Sequence, residues 1–351
     1  MGIGVVGADW DTGVFSPSVI EDRLSLIAGP TNVRKLGLHP TAGDKSSIWA
    51  TIVASATTSN PLDLYFPPGT YRFDTPWPTI DPMKIRIRCA GQFHTTFDFT
   101  RLASGPAIDV QKAVGNNNKH IVLSDVNIAG PTSGGTTVDG INLGSASTFA
   151  NQCVFERVRV DHFRDAWVLN DNTWCIDWVD CYENAQIRYA FNAAGTANAG
   201  ENYSLIGGTI AASGSDCIRA TGSNGATFNL FGVSLDYSNH LITLQNGNRV
   251  NMFGGHIECG DAQTGAELMA IIKGSTYNPA LVLKGVTLYA AWTSAGTIKT
   301  VVRVSGTTGA TNDNAVIDLD GLEVTSGAGP TGVNALVIDQ STVGTLSLIH
   351  I

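Results

Sequence analysis

TFNLFGVSLDY from Thr227 and RVNMFGGHIEC from Arg249 state one phrase twice, 22 residues apart. Each is an apolar/polar alternation that ends in a small loop and a second alternating stretch. Working outward, the same phrase is IVLSDVNIAG from Ile121, CVFERVRVDHF from Cys153, YSLIGGTIAA from Tyr203, ALVLKGVTLYA from Ala280 and AVIDLDGLEVT from Ala315, recurring about every 22 to 35 residues. Self-similarity at this period marks stacked units, none able to bury its own apolar face.

The alternation has period two and is rich in Val, Ile, Leu and Phe, so the units are made of strands. Aligned, they give an inward apolar column of Ile128, Val160, Ile210, Leu235, Ile257, Leu288 and Val324. A second stretch repeats with them, as GINL from Gly140, AWVL from Ala166, DCIRA from Asp216, HLITL from His240, LMAII from Leu268 and TVVRV from Thr300. A closed coil of two or three short strands, hydrogen-bonded to the coils above and below, satisfies both patterns. An antiparallel sandwich is the competing architecture, but it has no reason to repeat its own phrase in register.

At 15% charged residues and 43% hydrophobic ones the chain has the composition of a folded β-rich protein. Its 351 residues suggest two domains by length, yet repeat folds grow by adding coils, and one elongated domain fits as well. A net charge of -9 without a Lys/Arg cluster argues against a nucleic-acid surface. No stretch has the apolar length of a membrane span, and MGIGVVGADWDTG at the N-terminus lacks the pattern of a secretion signal. The six cysteines, Cys89, Cys153, Cys175, Cys181, Cys217 and Cys259, show neither CxxC nor paired Cys/His spacing. They read as small core residues, with a disulfide between stacked neighbours as the alternative, and no metal or cofactor site is expected.

Residues 1–40 read as an N-terminal extension or linker, and 41–345 as the repeat domain. TAGDKSSIWATIVASATTSN from Thr41 predicts a short helix near 44–56, capped by Asp44 or Ser46, with an apolar face of Ile48, Ile52 and Val53 covering the open first coil. The last six residues, LSLIHI from Leu346, match the translation of a transposase adapter end used in sequencing libraries. The natural frame is therefore expected to continue, and no role is assigned to His350; the alternative is a genuine closing strand, since VGTLSLIHI alternates in places.

After the helix, PLDLYFPPGTYRFDTPW from Pro61 and KIRIRCAGQFHTTFDF from Lys84 each read as a strand, a glycine turn and a second strand. With these phrases in this order the chain resembles the pectate-lyase-like right-handed β-helix superfamily, and within it the tailspike depolymerases of bacteriophages. The resemblance implies an all-β, single-stranded right-handed parallel β-helix of about ten coils with a short N-terminal capping helix. It also implies a homotrimeric virion tail protein, made in the host cytoplasm, that binds and cleaves a polysaccharide at the bacterial cell surface. These motifs are architectural and leave the chemistry open. The Gly-His-Gly, Asp-Asp and Arg-Ile-Lys motifs of polygalacturonases are absent from the sequence. VDH at 160–162 is a weak match to a pectate-lyase signature and lacks the tryptophan and calcium-binding acids around it.

Chemistry is sought in the outward column beside the apolar one: Ala129, Asp161, Ala211, Asp236, Glu258, Tyr289 and Thr325. Asp236 and Glu258 are one 22-residue coil apart, so their strands are expected about 4.8 Å from each other. Adjacent carboxylates repel when both ionise, which separates their pKa values and yields an acid and a base in one place. Glycoside hydrolysis uses such a pair, about 5–5.5 Å apart for retention of configuration or about 6.5–9.5 Å for inversion. His256 lies two positions before Glu258 and is a candidate to tune or replace one of them. Tyr237, Tyr289 and Trp292 offer flat faces for sugar rings, while Asp161, Arg159 and His162, with Asp165, are placed to extend a groove about three coils earlier. Asp177, Asp180 and Glu183 form a third acidic group in a stretch where the alternation slips and the facing is open.

The expected reaction is hydrolysis of a bacterial capsule, exopolysaccharide or O-antigen. Its rivals are a tail or adhesion protein that only binds glycan, and a secreted bacterial polysaccharide lyase.

Overall fold

A computed structural model describes residues 29–115, 118–132, 137–260, 267–273, 278–291, 299–306, 315–326, 333–338 and 348–350. Among these residues every strand ladder is parallel, which excludes the antiparallel sandwich. The inward column runs Ile128, Val160, Glu183, Ile210, Leu235, Ile257 and Leu288, each residue paired with the next one coil on, and the backbone of Leu288 pairs with that of Val324. Its apolar members from Ile128 to Leu288 are at most 1% exposed.

From Ile176 onward a coil has three strand positions, seen in one turn as Thr227–Phe231, Ser234–Asp236 and His240–Gln245. The third position builds a nine-stranded sheet along one side of the solenoid. In the earlier coils the first two positions fuse into His120–Ala129 and Cys153–Asp161.

The bend between the first two positions has one cause, repeated in each coil from Asp125 onward. Asp125, Arg157, Asp180, Gly207, Gly232, Gly254, Gly285 and Gly321 all have φ between 48° and 68°. A left-handed residue there turns the chain between strands while its N–H still reaches the next coil, as Gly207 does to the Phe231 carbonyl and Gly232 to that of Phe253. Glycine adopts this conformation without steric cost. In two of the coils without glycine the bend residues pair: Arg157 Nε donates to Asp125 Oδ1 at 2.5 Å.

The helix forms over Ser46–Ser55, within the expected span, and Asp44 Oδ1 accepts from the Ser46 N–H at 3.0 Å. Its buried face differs from the expected one. Trp49 and Ile52 are buried, Val53 packs partly against them, and Ile48 is exposed. Positions 49, 52, 53 and 56 make the i, i+3, i+4, i+7 stripe, and residue 48 falls outside it. Trp49 lies 4.6 Å from the Trp77 ring and 5.6 Å from Phe66, closing an aromatic cluster that includes Tyr71, Phe73, Phe97 and Phe99. The two N-terminal strand pairs fall at Leu62–Phe66 with Gly69–Arg72 and at Ile85–Cys89 with Thr95–Asp98, as the turns predict.

The slip in WCIDWVDCYEN has a specific origin. Glu183 occupies an inward position and is buried, with its carboxyl accepting a hydrogen bond from Trp167 Nε1 at 2.8 Å. Asp177 instead faces out and pairs with Lys119. All six cysteines are free, and Cys175 alone is only half-buried. No helix among the described residues is long and apolar enough to cross a membrane.

Candidate functional site

Ser234–Asp236 pairs position for position with His256–Gly260, so Asp236 lies directly beside Glu258 and Ser234 beside His256. Residues two apart in a strand share a face, and the four side chains therefore gather outside the solenoid wall. One carboxylate oxygen of Asp236, one of Glu258 and one ring nitrogen of His256 all lie within 4.8 Å of one another.

The two carboxylates are held differently. Ser234 Oγ donates to Asp236, lying 2.8 Å and 2.9 Å from its two oxygens. Partial burial nevertheless raises the Asp236 pKa, with the nearby Glu258 charge pushing the same way against Ser234 and His256. Glu258 accepts a short hydrogen bond from the Tyr237 hydroxyl and has His256 Nε2 3.6 Å from its other oxygen. That bond in turn pushes the Tyr237 hydroxyl up to about 12.

Tyr237 has φ 51°, left-handed for a bulky residue. It closes a column of such residues, His162, Ala185, Ala212 and Tyr237, each following the second strand and each donating its N–H to the next coil. The side chain in that place points along the outer face toward Glu258. Non-glycine residues in this region store about 1–2 kcal/mol each, and such strain gathers where a side chain must be aimed.

The outward column beside the site runs Asp161, Asn184, Ala211, Asp236, Glu258 and Tyr289. Asn184 belongs to the coil hidden by the Glu183 slip. Tyr289 is exposed one coil beyond Glu258, as a sugar-stacking face requires, and Tyr237 is exposed beside it. Trp292 lies outside the described residues. Asp161 stands three coils before Asp236, as expected, but its side chain does not face freely into a groove: it is buried, and Arg159 Nε holds it at 2.6 Å. Arg159 in turn lies over the Tyr182 ring, 4.7 Å from its centroid. His162 occupies the turn itself rather than the strand face.

Asp165 corrects the expected groove further. It is fully buried on the nine-stranded sheet, where Arg188 Nε donates to it at 2.9 Å and Asn192 at 2.8 Å. Asp139 is gripped in the same way by Arg164 Nε at 2.7 Å. Asp216 bonds His240 Nδ1 and accepts from Thr243 Oγ1 at 2.8 Å. The signal for this second polar column was present in the sequence as an aspartate opening three second stretches, in DGI, DAW and DCI.

No family model and no curated relative matches the chain. Among solved structures it is similar to the enzymatically active domain of tailspike protein 4 from bacteriophage CBA120, with a TM-score of 0.59 and 13% identity over 91% of this chain. It is similar also to the ORF18 protein of Geobacillus virus E2, with a TM-score of 0.54 and 13% identity over 92% of this chain. The chain is a right-handed parallel β-helix. The hand agrees with the strong preference of parallel crossovers for right-handed connection. This β-helix spans 46% of the length of the tailspike domain and 63% of that of the ORF18 protein. At such identity the likeness concerns architecture, and the chemistry rests on the residues above.

Proposed function

We propose that this β-helix is a phage tailspike-type depolymerase that binds and hydrolyses a bacterial surface polysaccharide. The observation that carries the reading is the pairing of Asp236 with Glu258 on adjacent coils, with oxygens within 4.8 Å. Likeness in fold to a domain named as the enzymatically active part of a phage tailspike supports the tailspike part of the reading.

In this mechanism Asp236, its pKa raised by burial, is the general acid that protonates the glycosidic oxygen as the bond breaks. Glu258, oriented by the hydrogen bond from the Tyr237 hydroxyl, attacks the anomeric carbon. Asp236, now deprotonated, then takes a proton from water as it releases the glycosyl-enzyme. The close approach of the two groups suits this retaining route better than the wider inverting one. Tyr289 and Tyr237 line the approach to the pair. The protein acts, in this proposal, from the virion tail as a homotrimer, and light scattering of the purified chain measures the assembly.

The test is incubation with a panel of purified capsules and lipopolysaccharides, followed by sizing of the products. Oligosaccharides without the ultraviolet absorbance of an unsaturated sugar are expected. An unsaturated product would replace the hydrolase with a lyase, and intact polymer that still binds would replace it with a non-catalytic adhesin.

A further inference from the structure

A pocket of about 310 Å³ opens at the N-terminal end of the solenoid, beside the strands Leu62–Phe66 and Ile85–Cys89. It is far along the axis from the Asp236/Glu258 pair, with the strands His120–Ala129, Cys153–Asp161, Ile176–Val179 and Tyr203–Ile206 stacked between them. Ile85, Ile87 and Cys89 are buried, so Lys84, Arg86 and Arg88 share the outer face. Three cations thus follow one another along a single strand of a chain whose net charge is -9.

Two of the three are matched. Lys84 Nζ lies 3.2 Å from an Asp81 oxygen, and Arg88 Nη2 donates to Asp63 Oδ2 at 3.1 Å. Arg86 is left with that same Asp63 oxygen at 3.7 Å, too far for a hydrogen bond, and no acceptor among the described residues takes any of its guanidinium N–H groups. Its side chain is 39% exposed, so these donors are within reach of a ligand. His120 joins the polar lining from the next coil. Burial first, and then the charges of Lys112 and Arg86, lower its pKa, which leaves it neutral at pH 7.

The remaining lining is apolar, from Pro61, Leu62, Pro82, Ile85 and the exposed Met83. A few polar groups set among apolar walls, in a volume of this size, are the usual make-up of a small-ligand site. One unmatched positive charge suits one negative charge, and a carboxylate presents two oxygens to the guanidinium fork. A phosphate dianion brings a second charge that nothing here balances. A divalent cation finds both carboxylates already facing cations, and a nucleic-acid backbone needs a longer basic track than this row.

We propose that this pocket is a second, non-catalytic site that binds an acidic sugar, with Arg86 taking its carboxylate and Met83 and Pro61 meeting the apolar face of the ring. The proposal rests on the depolymerase reading for the source of the sugar and deepens it: the polymer carries carboxylates, and it is anchored at one end of the solenoid while the acid pair acts on a later coil.

The test uses the Asp236→Asn/Glu258→Gln double variant, so that cleavage cannot remove the probe. It is titrated with carboxylate-bearing bacterial surface oligosaccharides, with the same oligosaccharides after reduction of their carboxyl groups, and with inorganic phosphate as competitor. Binding to an acidic oligosaccharide is expected, weakened tenfold or more by carboxyl reduction and by adding Arg86→Gln, and not displaced by phosphate at equal concentration. Met83→Glu, at an exposed position, sets a like charge beside the ligand and should weaken binding as much if Arg86→Gln disturbs folding. The proposal is overturned by no binding, by equal binding of the reduced forms, by displacement with phosphate, or by binding that survives both substitutions. Hydrolysis is read separately on the unaltered chain, so failure of the pocket and failure of the catalytic assignment remain distinguishable.

Discussion

Tyr237 is bonded to Glu258 twice, once through its backbone N–H to the Glu258 carbonyl oxygen at 2.8 Å and once through its hydroxyl to the Glu258 carboxylate. The first bond is part of the coil-to-coil ladder, and the second reaches the reactive group. Backbone stacking thereby sets the geometry of a side chain that the proposed chemistry depends on.

Replacing either member of the acid pair, as Asp236→Asn or Glu258→Gln, should lower kcat on polysaccharide by about 10²–10⁴-fold with folding intact. Freshly released ends should carry the anomeric configuration of the substrate, read by proton NMR in the first minutes. Unchanged kcat in both variants would remove the pair from the mechanism.

Ser234 stabilises ionised Asp236, so Ser234→Ala should raise the Asp236 pKa further. With Asp236 as the proton donor, the alkaline limb of kcat/KM should move to higher pH. A hydrogen bond to a charged group contributes about 1.5–3 kcal/mol against about 0.5–1.5 kcal/mol to a neutral one, and the difference of about 1–1.5 kcal/mol corresponds to a shift of about 0.7–1.1 pH units. A limb that moves to lower pH would assign the acid elsewhere.

Tyr237→Gly removes about 1–2 kcal/mol of backbone strain and adds about 0.5–1 kcal/mol of unfolded-chain entropy. The chain should therefore be no less stable to urea, while activity falls because Glu258 loses its donor. Tyr237→Phe keeps the strain and should lose activity alone.

Buried Glu183 has its pKa pushed up to about 8 by desolvation, against an ordinary value of 4.5. Its protonated form therefore favours the fold fully below about pH 4.5, and that contribution is lost as pH rises through about 8. Glu183→Gln still accepts from Trp167 and cannot ionise. Urea midpoints of the variant should gain on those of the parent between pH 5 and pH 9, and a constant difference would show that Glu183 does not titrate in this range.

Arg188→Met strands the Asp165 carboxylate, which is fully buried, and should cost about 2–3 kcal/mol. Asp165→Leu in the same chain should restore most of the loss, because two apolar groups leave no charge uncompensated. A double-mutant cycle in urea measures the coupling.

The stacking was legible because inward positions at Leu235 and Ile257 carry strong period-two contrast with their neighbours, and contrast is what a buried face writes into a sequence. The Asp236/Glu258 adjacency followed from the same spacing. Glu183 was illegible because a charge at an inward position mimics a surface residue, and only its indole partner sixteen residues earlier reveals the difference. Asp161 was misjudged for the converse reason: its place in the column was right, but the cover provided by Arg159 depends on a side-chain direction that alternation does not encode. The helix face at Trp49 was missed by one residue, an error of about 100° around the axis.

The left-handed residue at the same point of each coil makes the turns interchangeable parts. Excision of residues 227–248 would join Ala226 to Arg249 and leave every remaining ladder in phase, yet it would seat Ala211 where Asp236 now stands beside Glu258. A solenoid of this kind can thus lose its reactive centre by a whole-module deletion that its scaffold scarcely notices.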